Sequence, residues 1–307
     1  MEGENRYWFG ISLAVVTALV WGGTSVFAKL VCAAGVSQVT AMSYRAVAIS
    51  LLAGGWLYAK HGSAPFRQPR ELAVSYFLMG LFTVAMNSTS FTLSCNYLSV
   101  AQVLILHYTF PLLVMAGSVW VTREPPAAAQ VAAAVLILVG LYVGFMLGRG
   151  GFAGVSWRGV CWGLLSVAGV TAQTLLSRRL FNQGRRTDPL TQLFYAHFWG
   201  GVIIITVNSL FGGWSDVPHI TLRGFLLMQY PMLGSGLVGV GLYFASLKYI
   251  SAAAASLLTA LEIVFAQLLA VLLLHQAPSL YEMAGSAIIL AAVACSTVRV
   301  RRAEAKS

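Results

Sequence analysis

Charge is scarce in this chain. Only 9% of the 307 residues are charged, and only 9 are acidic, where a soluble globular domain carries about 25% charged residues. No loop is long enough to hold a soluble domain. HExxH and GxSxG motifs, a glycine-rich nucleotide loop and acids paired at catalytic spacing are all missing. These absences argue against a membrane-embedded enzyme and against direct drive by ATP. There are 4 cysteines, Cys32, Cys95, Cys161 and Cys295, none at metal-site or CxxC spacing. They read as small packing residues. Cys32, Cys95 and Cys161 fall near one membrane face, where a disulfide stays open. No metal and no cofactor is expected. The opening "MEGENRYWFG" lacks the pattern of a cleaved signal peptide. The first apolar run is expected to stay as a helix, with Tyr7, Trp8 and Phe9 in the interfacial belt.

What is present is apolar length. Hydrophobic residues make up 58% of the chain, in runs near the roughly 20 residues that cross a bilayer core as helix. The expected fold is an all-α membrane protein with ten transmembrane helices, at about 8–31, 38–59, 72–94, 98–121, 128–147, 158–179, 190–212, 224–247, 251–274 and 280–299. Most of the 19 Lys and Arg then fall on one side of the membrane; Lys29, Arg149, Arg158 and Arg223 lie on the other, and Arg45 lies inside a span. Basic residues collect on the cytoplasmic side, so both termini are expected in the cytoplasm. The net charge of +10 is therefore read as topology, with the lipid bilayer as partner and no nucleic acid.

The chain also repeats itself. "YLSVAQVLILHYTFPLLVMAGSVWVTREPP" (97–126) falls on "YISAAAASLLTALEIVFAQLLAVLLLHQAP" (249–278) without a gap, pairing Tyr97 with Tyr249 and Pro126 with Pro278. Further on, Gly140 and Gly144 fall on Ala292 and Ser296, both small-xxx-small pairs that let helices approach closely. A five-helix unit would make the second copy enter from the opposite side. Such inverted repeats are common in secondary transporters that work by alternating access.

Several segments carry a family likeness: "ALVWGGTSVFAKL" (18–30), "AMSYRAVAISLLAG" (41–54), "LYFASLKYISAAAASLLTALEIVFAQLLAVLLL" (242–274) and "EMAGSAIILAAV" (282–293). With the repeat, they make the chain resemble the EamA-type branch of the drug/metabolite transporter superfamily over nearly its whole length. The resemblance implies two inverted five-helix halves at 1–147 and 158–299, with a linker at 148–157 and a basic tail at 300–307. It implies a central cavity lined mainly by spans 1–4 and 6–9, with spans 5 and 10 peripheral. It further implies a secondary transporter of a small polar metabolite, such as an amino acid or amine, in a bacterial inner membrane. Efflux is the expected direction, with import of a vitamin or nucleoside as the alternative, protons as a candidate coupling ion and a monomer as the working unit. Two departures stand out. The family commonly has proline after the Glu262 position, where this chain has Ile263, which puts a kink of span 9 in doubt. The Gly-Glu that usually follows span 9 is His275-Gln276 here.

Glu262 is the residue that asks for an explanation. A carboxylate at mid-bilayer costs roughly 2.5–3.5 kcal/mol on insertion scales and faces protein or water. Thr259, Glu262 and Ala266 share one helix face, so Glu262 either binds a cation or proton or pairs with Arg45 or a tyrosine. Arg45 keeps its charge and would grip a carboxylate or phosphate in a fork, or serve structure or gating. Thr17, Trp21, Thr24 and Ser25 make one polar face of span 1; Asn87, Ser90 and Ser94 make another on span 3. Each serves either a cavity or helix packing. His107 in span 4, Gln173 and Ser177 in span 6, and His197 in span 7 are read with the same two options. The glycine-rich stretch 234–241 reads as packing, with Tyr243 beyond it able to reach a cavity.

Overall fold

The computed structural model describes residues 2–98, 100–147, 155–184, 187–211, 213–274 and 279–304. Most of the expected linker 148–157, the end of the basic tail, His275, Gln276 and the Pro278 end of the repeat fall outside them. The described residues are helical throughout, with no strand. The main helices are α1 (Asn5–Ala33), α2 (Gln38–His61), α3 (Arg70–Ser94), α4 (Gln102–Val121), α5 (Ala128–Gly144), α6 (Trp157–Asn182), α7 (Pro189–Leu210), α8 (Leu222–Ser246), α9 (Ala252–Leu268) and α10 (Leu280–Thr297). Among the described residues, 7 helices (α1, α3, α4, α6, α7, α8 and α10) are long and apolar enough to cross a membrane; α5 and α9 are shorter apolar helices. α2 is 24 residues long and carries Arg45 within it.

Local chemistry sets the helix ends. The Ser37 hydroxyl accepts from the Thr40 amide at 3.0 Å at the start of α2. Asp188 accepts from the Leu190 and Thr191 amides, both at 3.0 Å, with Pro189 in the first turn of α7. Thr221 and Ser251 cap α8 and α9 in the same way. Ser279 and Glu282 cap each other's amides at the start of α10, the reciprocal arrangement that satisfies two orphan donors. Gly62 and Gly184 turn the chain out of α2 and α6 at φ values of 61° and 60°, where a side chain would be strained.

Packing in lipid depends on close contact rather than water exclusion, and small residues supply it. A side-chain carbon on Gly140 of α5 would meet the Gly285 carbonyl oxygen of α10 at 2.8 Å. The small-residue stripe of α5 is thus used within the chain, between α5 and α10. Gly80 of α3 lies as close to the backbone of α7 at Gly200. The largest fully buried side chains include Tyr76, Tyr108, Tyr243, Phe110 and Phe244. All 4 cysteines are free.

Three of the described helices are interrupted near the centre of the bundle. α1 is interrupted at Gly22–Gly23, α4 at Tyr108–Thr109 and α9 at Thr259–Ala260. The α9 break forms without proline: the Glu262 amide donates to the Thr259 carbonyl at 2.9 Å and the Ile263 amide to Ala260 at 3.2 Å, both i to i−3. The ladder is therefore interrupted here although Ile263 stands where the family commonly has proline. Wider π-helical turns occupy Leu81–Thr89 of α3 and Tyr230–Val240 of α8. Such turns release carbonyls from the ladder and recur at functional sites.

Candidate functional site

A cavity lies where these interruptions meet. It is lined by Trp21 and Thr24 of α1, Arg45 of α2, Asn87, Ser88, Phe91 and Thr92 of α3, His107 of α4, Val170 of α6, Ser235 and Val240 of α8, and Glu262 of α9. Its free space is about 50 Å³. A water needs about 10–15 Å³ on this measure, so the cavity holds a few waters. Sites for drug-sized ligands run to roughly 300–1,000 Å³; a metabolite therefore requires these walls to part.

Six residues singled out in the sequence share this cavity: Trp21, Thr24, Arg45, Asn87, His107 and Glu262. Trp21 is fixed by its indole N–H, which donates to the Ser235 carbonyl at 3.0 Å in the π-turn of α8. Its ring packs on Tyr243 with centroids 5.2 Å apart. Gly239 is needed there, because a side-chain carbon would come within 2.6 Å of Trp21 Cδ1. The α1 break is held from α8 as well: the Tyr230 hydroxyl accepts from the Gly23 amide at 3.2 Å and donates to the Val20 carbonyl. Asn87 Oδ1 accepts from Ser166 at 3.1 Å, and Ser166 Oγ lies 3.3 Å from His107 Nδ1, so one serine ties α3, α4 and α6 together.

Glu262 and Arg45 sit in the cavity wall without forming an ion pair; among the described residues the side chains paired within 4 Å include Arg178 with Glu124, not these two. Glu262 is only 6% exposed and Arg45 only 3%. The Tyr108 hydroxyl lies 2.7 Å from Glu262 Oε2 and 2.8 Å from the Thr259 carbonyl oxygen. The Arg45 guanidinium touches Met42 Sδ at 3.9 Å, and its Nε has no partner. An unpaired buried guanidinium facing a small cavity is a ready donor to an anionic group.

The remaining sequence candidates sit around this space rather than in its wall. Ser25 is buried in α1, and the Ser90 hydroxyl donates to the Ala85 carbonyl at 3.4 Å within α3. Thr259 is spent on the backbone of its own break, donating to Ser256 at 2.8 Å. Tyr243 is fully buried and its hydroxyl lies 2.8 Å from Thr174 Oγ1, on the side of the cavity that leads to Arg178. Gln173 is fully buried with both amide atoms unpartnered. His197 is also buried, its Nδ1 3.0 Å from the Leu193 carbonyl, and does not line the cavity. Reasoning from sequence missed Ser88, Phe91, Thr92, Ser166, Val170, Ser235 and Val240. Ser166 and Val170 were findable, because they extend the Gln173 and Ser177 face by helical spacing. Ser235 and Val240 were hidden in the stretch read only as packing.

The EamA-like transporter family matches this chain over residues 8–146 and 157–298. The chain belongs to that family. It is a membrane transporter of the EamA type. Among curated proteins it is 22% identical over 302 residues to an uncharacterized inner membrane transporter, YicL, of Salmonella typhimurium, covering 95% of this chain and 96% of that one. It is 31% identical over 140 residues to an uncharacterized inner membrane transporter, YhbE, of Escherichia coli K12, covering 44% of this chain and 42% of that one. A solved crystal structure superposes with a TM-score of 0.73 at 20% identity, over 96% of this chain and 98% of that one. That likeness speaks to the fold.

Proposed function

We propose that this EamA-type transporter is a secondary active transporter that moves a small polar metabolite, such as an amino acid or amine, by alternating access. The observation that carries this reading is the placement of an acid, Glu262, and a base, Arg45, on one buried cavity without pairing with each other. The unpaired guanidinium is costly to bury alone; an anionic group on a ligand would offset that cost, and the Glu262 carboxyl would receive the ligand's amine or other polar group. The cavity is too small for such a ligand as it stands, so binding and release need the helices around it to move.

The reading includes ten spans in two inverted five-helix halves, 1–147 and 158–299, with both termini in the cytoplasm of a bacterial inner membrane. The family match falls in two stretches of similar length. The register that puts Tyr97 on Tyr249 also puts Tyr108 on Ala260, so the α4 and α9 breaks correspond. The π-turns of α3 and α8 correspond in the same way. The distribution of Lys and Arg orients the chain, and the named relatives are inner membrane transporters. Efflux is the proposed direction.

The test begins with a thermal-shift screen of the purified protein against amino acids, polyamines, vitamins and nucleosides. Compounds that raise the melting temperature are then followed by counterflow in proteoliposomes. Glu262→Gln and Arg45→Met are expected to abolish the shift. A protein that neither binds nor exchanges any compound in the set would overturn the reading.

A further inference from the structure

Three oxygens stand in a row where α4 meets the break in α9: the Thr259 carbonyl, the Tyr108 hydroxyl and Glu262 Oε2, separated by 2.8 and 2.7 Å. Both spacings are those of O–H···O hydrogen bonds, and each needs one hydrogen between its oxygens. The tyrosine hydroxyl owns one hydrogen and the carbonyl none. The second can come only from the carboxyl of Glu262. With an ionised carboxylate, one of the two pairs would face lone pair to lone pair in a site that is nearly dry, since Tyr108 is 1% exposed.

We propose that Glu262 carries a proton in this conformation and that Tyr108 is the positioning residue that reads it. The carboxyl donates to the Tyr108 oxygen, and the Tyr108 hydrogen goes to the Thr259 carbonyl. The surroundings agree with a neutral acid. α1 brings no titratable group between Tyr7 and Lys29. α2 brings Arg45 to the same cavity without an ion pair, and α4 brings His107 beside Tyr108. α8 brings Tyr230 and Tyr243, and Cys95 follows α3. None of these supplies a cation within pairing distance of the carboxylate, and an ionised carboxylate held there alone is strongly disfavoured.

Loss of the proton has a mechanical consequence. The proton passes to water in the cavity that Glu262 lines, and the carboxylate becomes the stronger acceptor for the single Tyr108 hydrogen. The Thr259 carbonyl then keeps only the Glu262 amide, 2.9 Å away. The carbonyl at the α9 break is released, and α4 stays tied to α9 through Tyr108 and Glu262 alone. One proton thereby changes the link between two interrupted helices, the kind of two-state element on which a switch acts. Its use in coupled transport rests on the function proposed above; the hydrogen count does not.

The experiment is infrared difference spectroscopy on the full chain in liposomes at neutral pH, without substrate. A protonated-carboxyl C=O band is expected in the wild type, missing in Glu262→Gln and displaced in Tyr108→Phe. Glu282→Gln, which removes another buried acid, is expected to leave the band in place. Glu262→Asp keeps an acid and is expected to shift the band, so the assignment survives if the glutamine variant fails to fold. A band indifferent to Glu262→Gln would show an ionised carboxylate and overturn the proposal; one indifferent to Tyr108→Phe would remove Tyr108 from it. Hydrogen exchange of residues 257–263 is expected to rise with pH more than in Glu262→Gln, and equal slopes would break the link to the helix. A protein that moved no compound would still show the band, whereas loss of the band leaves the transporter reading standing.

Discussion

Arg178 grips Glu124 in a fork. Its Nε lies 3.1 Å from each carboxylate oxygen and its Nη2 lies 2.6 Å from Oε1, while Nη1 donates to the Leu247 carbonyl at 2.8 Å. One side chain thus joins the end of α6 to the end of α4 and to the turn after α8. Val170, Thr174 and Arg178 follow one another at one-turn spacing down one face of α6. The first lines the cavity, the second meets Tyr243 and the third holds this fork. The ends of α4 and α6 and the turn after α8 are therefore held together.

The fork sets a stability prediction. The partners are 15% and 28% exposed, so water screens part of the attraction. A double-mutant cycle with Arg178→Ala and Glu124→Ala is expected to give a coupling of about 1–2 kcal/mol, between exposed ion pairs and buried charged hydrogen bonds. Arg178→Ala is expected to cost more than Glu124→Ala, because it also strands the Leu247 carbonyl. Arg178→Lys is expected to recover less than half of the loss, since an ammonium cannot fork. Denaturant unfolding in detergent measures all three.

Arg45 is expected to behave in the opposite way. It has no acidic partner, and its Nε is unsatisfied. Removing an unpaired buried charge relieves a desolvation cost. Arg45→Met keeps the length and the apolar contacts of the stem, so its melting temperature is expected to match or exceed that of the wild type. Ligand binding in the same preparation is expected to fall at least about tenfold, or about 1.4 kcal/mol. A variant that unfolds instead would assign Arg45 to the architecture.

What the sequence revealed and what it concealed follow from the same physics. Lengths of apolar run place the helices, because that signal is local. Glu262 and Arg45 were conspicuous because charge inside an apolar run has few innocent explanations. Their failure to pair was not legible, since helical spacing assigns faces within one helix and says nothing of the rotation of the next. The Thr259–Ala260 break lay hidden for another reason. Its support is the Tyr108 hydroxyl on α4, and neither residue is a helix breaker. Ser235 escaped because its carbonyl, not its side chain, holds Trp21, and backbone chemistry leaves no mark on residue type.

Glycine contacts give a paired prediction. A side-chain carbon on Gly285 would meet Gly144 Cα at 2.8 Å, backbone against backbone, with nothing flexible to yield. Gly285→Val is expected to destabilise the protein by about 1–3 kcal/mol, the usual cost of overpacking. Gly55 faces open space with nothing within 4 Å. Gly55→Ala is expected to be neutral or to stabilise by up to about 1 kcal/mol through helix propensity. Both are read by thermal unfolding, and because neither residue lines the cavity, ligand affinity of the folded protein is expected to hold.

Ile263 offers the sharpest test of the α9 break. Proline inside a continuous helix costs about 3 kcal/mol or more, because it removes an amide and strikes the carbonyl one turn back. After the break the helix restarts at Leu261, so Ile263 lies in a first turn, where amides have no ladder partner. Its amide makes only the 3.2 Å contact to Ala260. In α4 the corresponding residue is already proline: Pro111 follows Phe110 in the first turn after the break at Tyr108–Thr109. Ile263→Pro is therefore expected to fold and to cost less than about 1.5 kcal/mol, including the buried apolar contacts of the 1% exposed isoleucine. Leu257→Pro, in the continuous turns before the break, is expected to cost at least twice as much. Equal penalties at the two positions would mean that α9 runs unbroken past Glu262, and the carbonyl that Tyr108 holds would then be an ordinary rung of the helix.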